Sequence, residues 1–169
     1  TDQNLNKKFK VLYVASSTYL AANIVEQDKT LSYKINSKEI HSNGFIAESK
    51  TYYFETDARL EADYLCAVLN SKTIDNLIKP LQTLGLWGPR DIHKRPLTLP
   101  IPLFNAKNEN HKKISELSKI CQNKTTRYLI EINNKEVGRV RKEIREKLKD
   151  ELTQIDDLVK KILIDEDVK

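Results

Sequence analysis

Apolar positions recur along this chain with two different periods. Between residues 10 and 54 they come in short runs. Lys10-Val11-Leu12-Tyr13-Val14-Ala15 and Thr51-Tyr52-Tyr53-Phe54 are rich in β-formers, and Leu31-Ser32-Tyr33-Lys34-Ile35 alternates apolar with polar, as a half-buried strand does. Phe45-Ile46-Ala47 reads as one more strand, facing 51–54 across the polar turn Glu48-Ser49-Lys50. Residues 19–25 fit a strand or a short helix. The stretch 36–43 is polar apart from Ile40, and Gly44 punctuates it.

After Asp57 the period lengthens to three and four. Asp57 is a fitting N-cap, because its carboxylate can accept an orphan first-turn amide. The helix it opens places Leu60, Tyr64, Leu65, Val68 and Leu69 on one face. Ser71 suits the cap of a second helix carrying Ile74, Leu77 and Ile78, which Pro80 ends for want of an amide donor. From His111 onward Ile114, Leu117, Ile120, Cys121, Tyr128 and Ile132 keep helical spacing, and Asn133-Asn134 interrupts it. A second run carries Val137, Val140, Ile144, Leu148, Leu152, Ile155, Val159 and Ile162. This is one narrow apolar stripe on a charged surface, the pattern of a helical hairpin or coiled-coil seam. The expected fold is therefore α+β: a small mixed or antiparallel sheet with packed helices over residues 1–105, then a C-terminal helical arm over 106–169.

Between these parts lies Gly85-Leu86-Trp87-Gly88-Pro89-Arg90-Asp91-Ile92-His93-Lys94-Arg95, followed by Leu97-Thr98-Leu99-Pro100-Ile101-Pro102. Two of the chain's four glycines mark this bend. The prolines make its exit extended and exclude a central strand position. Trp87, the sole tryptophan, reads as a core plug beneath the bend.

Composition narrows the chemistry. There are 29 Lys+Arg against 24 Asp+Glu, a net charge of +5, which permits a polyanion partner without proving one. Residues 135–149 hold seven basic and three acidic side chains. That run reads as the solvated face of a docking seam, with tracking of a DNA backbone as the other reading. Cys66 and Cys121 sit in apolar helical settings and read as buried free thiols. His41, His93 and His111 lack metal-ligand spacing. Four glycines supply no phosphate loop, and no nucleophile elbow is present. Asp57, Glu61 and Asp63 are spaced as a helix start needs. No catalytic residue is expected. No signal peptide or long apolar run is visible, so a cytoplasmic protein with no membrane partner is expected. The chain begins at Thr1 and contains no methionine, which suggests a piece of a longer polypeptide.

Several of these runs together resemble a known family. Ala62-Asp63-Tyr64-Leu65-Cys66-Ala67-Val68-Leu69-Asn70-Ser71, then Gly88-Pro89-Arg90-Asp91-Ile92-His93-Lys94, Leu99-Pro100-Ile101-Pro102 and His111-Lys112-Lys113-Ile114 look like the target recognition domain of restriction–modification proteins. They are most similar to the C-terminal specificity region of adenine-specific DNA methyltransferases, including fused restriction–methylation enzymes. The specificity subunits of type I systems share the plan. The strand pair expected in 44–55 and the late Gln154-Ile155-Asp156-Asp157-Leu158-Val159 resemble the same family. The C-terminal helices are longer and more charged than a plain methyltransferase tail, so a fused enzyme and a separate specificity subunit both stay open.

The resemblance implies sequence recognition on double-stranded DNA. A methyltransferase catalytic domain, in the same chain or a partner subunit, would use S-adenosylmethionine; no cofactor is expected in this stretch, which also lacks the Asn/Asp-Pro-Pro-aromatic sequence of the adenine pocket. Arg90, Lys94 and Arg95 are the leading DNA-contact candidates, because a guanidinium matches guanine O6 and N7 and an ammonium neutralises phosphate. His93 is a further candidate, and Ser17 and Lys34 are weaker ones on strand ends. Against this, Arg90 would pair with Asp91 and His93 would be a packed loop residue. Two other classes remain open. One is a helical protein-interaction module that self-associates or docks a partner without DNA. The other is a magnesium-dependent nuclease using the acids near the bend.

Overall fold

A computed structural model describes residues 3–27, 30–85, 88–132 and 136–166. The fold is α+β, as the apolar pattern predicts. Strands β1 (Phe9–Val14), β2 (Ala22–Glu26) and β5 (Thr51–Thr56) form an antiparallel sheet in the order β2-β1-β5. Tyr13 is in register with Ala22 on one side and Tyr52 on the other. Strands β3 (Thr30–Ile35) and β4 (Lys38–Asn43) make a separate antiparallel hairpin, and β6 (Leu84–Gly85) with β7 (Gly88–Pro89) makes a minimal one. The α-helices among the described residues are α1 (Arg59–Asn70), α2 (Lys72–Ile78), α3 (Glu109–Glu131), α4 (Val137–Lys147) and α5 (Lys149–Glu166).

One hydrophobic core runs through the molecule. Val11 and Tyr13 of β1, Tyr64, Val68 and Leu69 of α1, Ile74 and Ile78 of α2, Ile114 and Leu117 of α3, and Ile155, Val159 and Ile162 of α5 belong to it. Helices α3 and α5 on the far side of residue 105 thus share their core with the sheet side. Helix α1 lies between the sheet and α3, and Ala62, Tyr64, Cys66, Ala67, Val68 and Leu69 are all buried. The single face expected for α1 is therefore too narrow. Leu60, assigned to it, is instead exposed.

Other expectations are also corrected. Asp57 does not cap α1. Its carboxylate accepts from Lys7 Nζ at 2.7 Å and the Lys8 amide at 3.2 Å, and the cap position is Ala58, with no side-chain cap. Residues 45–47 are not a strand. Gln3 donates from Nε2 to the Ala47 carbonyl and accepts the Ala47 amide, while Gln27 Nε2 donates to the Phe45 carbonyl. Side chains satisfy the backbone groups that a ladder would otherwise take, and β5 pairs with β1 instead. The polar stretch 38–43 is a strand, β4, because it needs only β3 as a partner. The second C-terminal run is two helices, α4 and α5, that meet at buried Leu148. Asn133, Asn134 and Lys135, where the sequence pattern breaks, lie outside the described residues.

Two side-chain devices set the geometry around α1. Asn70 closes the helix by pairing with one residue of β2: its Nδ2 donates to the Ala22 carbonyl at 2.8 Å and its Oδ1 accepts the Ala22 amide at 3.0 Å. Ser71 then caps α2, accepting the Ile74 amide at 3.2 Å. At the other end of the path, Tyr64 donates its hydroxyl to the Pro102 carbonyl at 2.9 Å. Buried His111 stacks on the Tyr64 ring at 4.7 Å and accepts the Asn105 amide at Nδ1. The Leu-Asn-Ser and Leu-Pro-Ile-Pro runs are anchors on either side of the cationic bend.

Candidate nucleic-acid interface

The bend between residues 83 and 98 is held to the sheet by its backbone and by two plugs. The Ile92 and His93 amides both donate to the Ala15 carbonyl at 2.9 Å. The Ser17 amide donates to the Arg90 carbonyl at 2.8 Å, and the Arg90 amide donates to the Thr83 carbonyl at 3.1 Å. Tyr13 reaches out of β1 to donate its hydroxyl to the His93 carbonyl at 3.0 Å. Ile92, at 0 % exposure, and Pro96 sink into the interior. With Ile92 and Pro96 turned inward, His93, Lys94 and Arg95 between them face solvent, as does Arg90.

The local chain conformation serves that presentation. His93 takes a left-handed backbone conformation, φ 42°, which reverses the chain between the Ile92 plug and the next turn. Residues Arg95–Thr98 form a 3-10 turn with Pro96 at its start. The aliphatic stem of Arg90 lies against Gly85, where an added Cβ would stand 3.0 Å from Arg90 Cδ. A side chain at position 85 would press on the Arg90 stem and require it to shift by a few tenths of an ångström.

Electrostatically the bend is left unbalanced. Asp91 is engaged elsewhere: Thr83 donates its hydroxyl to one carboxylate oxygen, Ser16 approaches the other at 3.5 Å, and His93 Nε2 lies 3.9 Å from it. Arg90 does not pair with Asp91. Among the described residues no carboxylate pairs with Arg90, Lys94 or Arg95. Burial first, and the neighbouring Tyr52 phenol second, push the Tyr13 hydroxyl up to about 12, so Tyr13 stays a donor to the bend throughout the neutral range.

Of the residues singled out from sequence, Arg90, His93, Lys94 and Arg95 are brought together, and Ser17 joins them through its amide. Lys34 does not. It sits on the β3–β4 hairpin opposite Glu39, and among the described residues no hydrogen bond ties it to the bend. Trp87 lies outside the described residues. The acids near the bend do not converge on a metal site. Asp57 pairs with Lys7, Asp63 is buried against Arg59 and Gln122, and Glu61 accepts from Thr56. No group of three or more His, Cys, Asp or Glu side chains suited to a metal is found among the described residues. No helix of the described residues is long and apolar enough to cross a membrane.

Beside the bend runs an apolar groove of about 270 Å³ between the β1–β5 face, α1 and the 96–104 exit, floored by Tyr13, Tyr52 and Tyr64. Leu97 and Leu103 stand on its lip at 68 % and 89 % exposure. The hydrophobic pattern alone did not reveal these two: Leu97 follows a proline in a turn, where no period applies. Compared with known proteins, this chain matches no protein-family model, no curated protein and no solved structure.

Proposed function

We propose that this chain recognises double-stranded DNA, as the specificity part of a restriction–modification adenine methyltransferase. The observation that carries the reading is the group Arg90, Lys94 and Arg95, exposed and without carboxylate partners among the described residues, on a bend pinned at both ends. Rigid presentation matters because a loop already in its bound shape loses little conformational entropy on binding. A planar guanidinium reads a guanine edge by two hydrogen bonds, whereas the lysine ammonium acts as a point charge on phosphate. His93 adds a ring at the tip of the same bend.

In this reading the chemistry lies in a methyltransferase catalytic domain that holds S-adenosylmethionine, and no residue of the present chain is assigned to that cofactor. Half of a type I specificity subunit would use the bend in the same way. The test is selection from a random duplex library by the 169-residue chain. Enrichment of one short sequence is expected. Retention of all duplexes alike, or of none, contradicts the reading.

A further inference from the structure

Tyr19 joins the cationic bend to helix α4. The Ser17 amide that holds the Arg90 carbonyl is only two positions before it. Two cations converge on its half-exposed ring: Lys79 Nζ lies 4.9 Å from the ring centroid and the Arg145 guanidinium carbon 5.4 Å. Asp75 balances Lys79 through a 2.9 Å pair. Arg145 has no carboxylate partner among the described residues.

The position of Arg145 shows which side of α4 faces Tyr19. Residues three and four apart share a helical face, so Arg141, Lys142 and Arg145 form one stripe. Arg141 and Lys142 are exposed, and neither has an ion-pair partner among the described residues. Among the described residues no acid of α4 makes an ion pair with this stripe. Glu143 is engaged by Arg139 at 3.1 Å and by the Tyr128 hydroxyl, on the side toward α3, and Glu146, exposed four positions after Lys142, shares its face without an ion pair to it.

Among the described residues these cations are unpaired, and the stripe reaches the Tyr19 ring two positions after the residue that holds the Arg90 carbonyl. We infer that α4 is a second arm of the interface. Resting on the reading above, Arg141, Lys142 and Arg145 neutralise phosphates of the same duplex that the bend contacts, with Tyr19 and Lys79 between the two arms. The arm adds affinity and salt dependence, not sequence preference, because phosphates carry no base information.

The experiment compares the intact chain with R141A/K142A and with R90A/K94A on a labelled duplex of about three helical turns, some 30 base pairs, over a range of salt. Thermal melting checks that each variant folds. For every phosphate that a variant no longer neutralises, the slope of log K against log salt falls by about 0.9. The expected result for R141A/K142A is a slope reduced by about 1.8, weaker binding to every duplex and an unchanged preferred site. R141E alone should act in the same direction. An unchanged slope overturns the inference. So does a wild-type dimer that R141A/K142A dissolves while duplex binding persists, since the stripe would then be a protein interface. If R141A/K142A lowers the slope and R90A/K94A does not, the α4 arm stands and the bend reading falls alone.

Discussion

The hydroxyl of Tyr13, next to the last residue of β1, donates to the carbonyl of His93 at the tip of the cationic bend, 3.0 Å away. A core aromatic thus reaches from the sheet to the proposed contact surface. Tyr13 also stacks on Tyr52, ring centroids 5.2 Å apart, so the donor cannot swing away without unpacking the β1–β5 face. Replacing it with phenylalanine keeps the stacking and removes only the bond. Tyr13→Phe should cost about 1 kcal/mol. That corresponds to a fall of about 2–4 °C in Tm for a chain of this size. Duplex affinity should fall as well, and calorimetry with a binding titration on the same protein checks both.

His93 holds a left-handed backbone conformation that a side chain with a Cβ adopts at a cost of about 1–2 kcal/mol. Glycine removes that strain and adds unfolded-state entropy of similar size. His93→Gly should therefore leave stability within about 0.5 kcal/mol of wild type, whereas β-branched His93→Val should lose about 1–2 kcal/mol. Urea unfolding of the two variants distinguishes them. Equal losses would mean that position 93 does not need its left-handed turn.

Lys10 is fully buried, its ammonium bonded to the Gln3 side chain and the Phe45 carbonyl at 3.0 Å each and paired with Glu55 at 3.2 Å. Removing one partner of a buried pair leaves the other charge stranded. Lys10→Met should destabilise by about 3 kcal/mol. Lys10→Met with Glu55→Gln should recover part of that loss, because no carboxylate is left unpaired. A double variant as unstable as the single one would assign the effect to packing of the Gln3–Phe45–Gln27 corner.

Alkaline pH should weaken the fold. Burial, reinforced by Asp63, pushes the Cys66 thiol from an ordinary 9.0 up to about 12, and burial together with Glu151 pushes Cys121 up to about 11. Tyr13 is raised as well, to about 12. Each group is neutral while protonated. Between its unfolded and folded pKa the unfolded chain has released a proton that the folded chain keeps, which favours unfolding. Stability is therefore intact below pH 9 and declines as pH rises from about 9 toward 12. Denaturant unfolding across that window should show the decline, with a shallower one in Cys66→Ala. A flat profile would mean these groups titrate freely in the folded state.

Much of this architecture could be read from residue pattern. The runs rich in β-formers became β1 and β5, the alternating run became β3, the three–four spacing became α1, α2 and α3, and Ser71 caps where its hydroxyl suggested. Two of the misreadings share one cause. Phe45-Ile46-Ala47 has strand composition but finds Gln3 and Gln27 before it finds a neighbouring strand. Asp57 has cap chemistry but meets Lys7 first. Local propensity states what a segment favours, and long-range side chains then compete for the same backbone groups. The bend was legible as glycine, proline and cations. Its supports were not: Ala15 accepting two amides and Tyr13 bonding His93 join residues far apart in the chain, and nothing in the spacing marks them. The approach of Arg145 to Tyr19 was invisible for the same reason.

The central claim is that the exposed cations of the bend meet DNA phosphates and bases. The most direct measurement is the salt dependence of duplex binding by wild type and by R90A/K94A/R95A, with melting curves alongside. The account predicts a triple variant that melts within a few degrees of wild type, binds more weakly, and shows a slope of log K against log salt smaller by up to about 2.7, or about 0.9 for each cation removed. A folded triple variant with wild-type affinity and slope would contradict it.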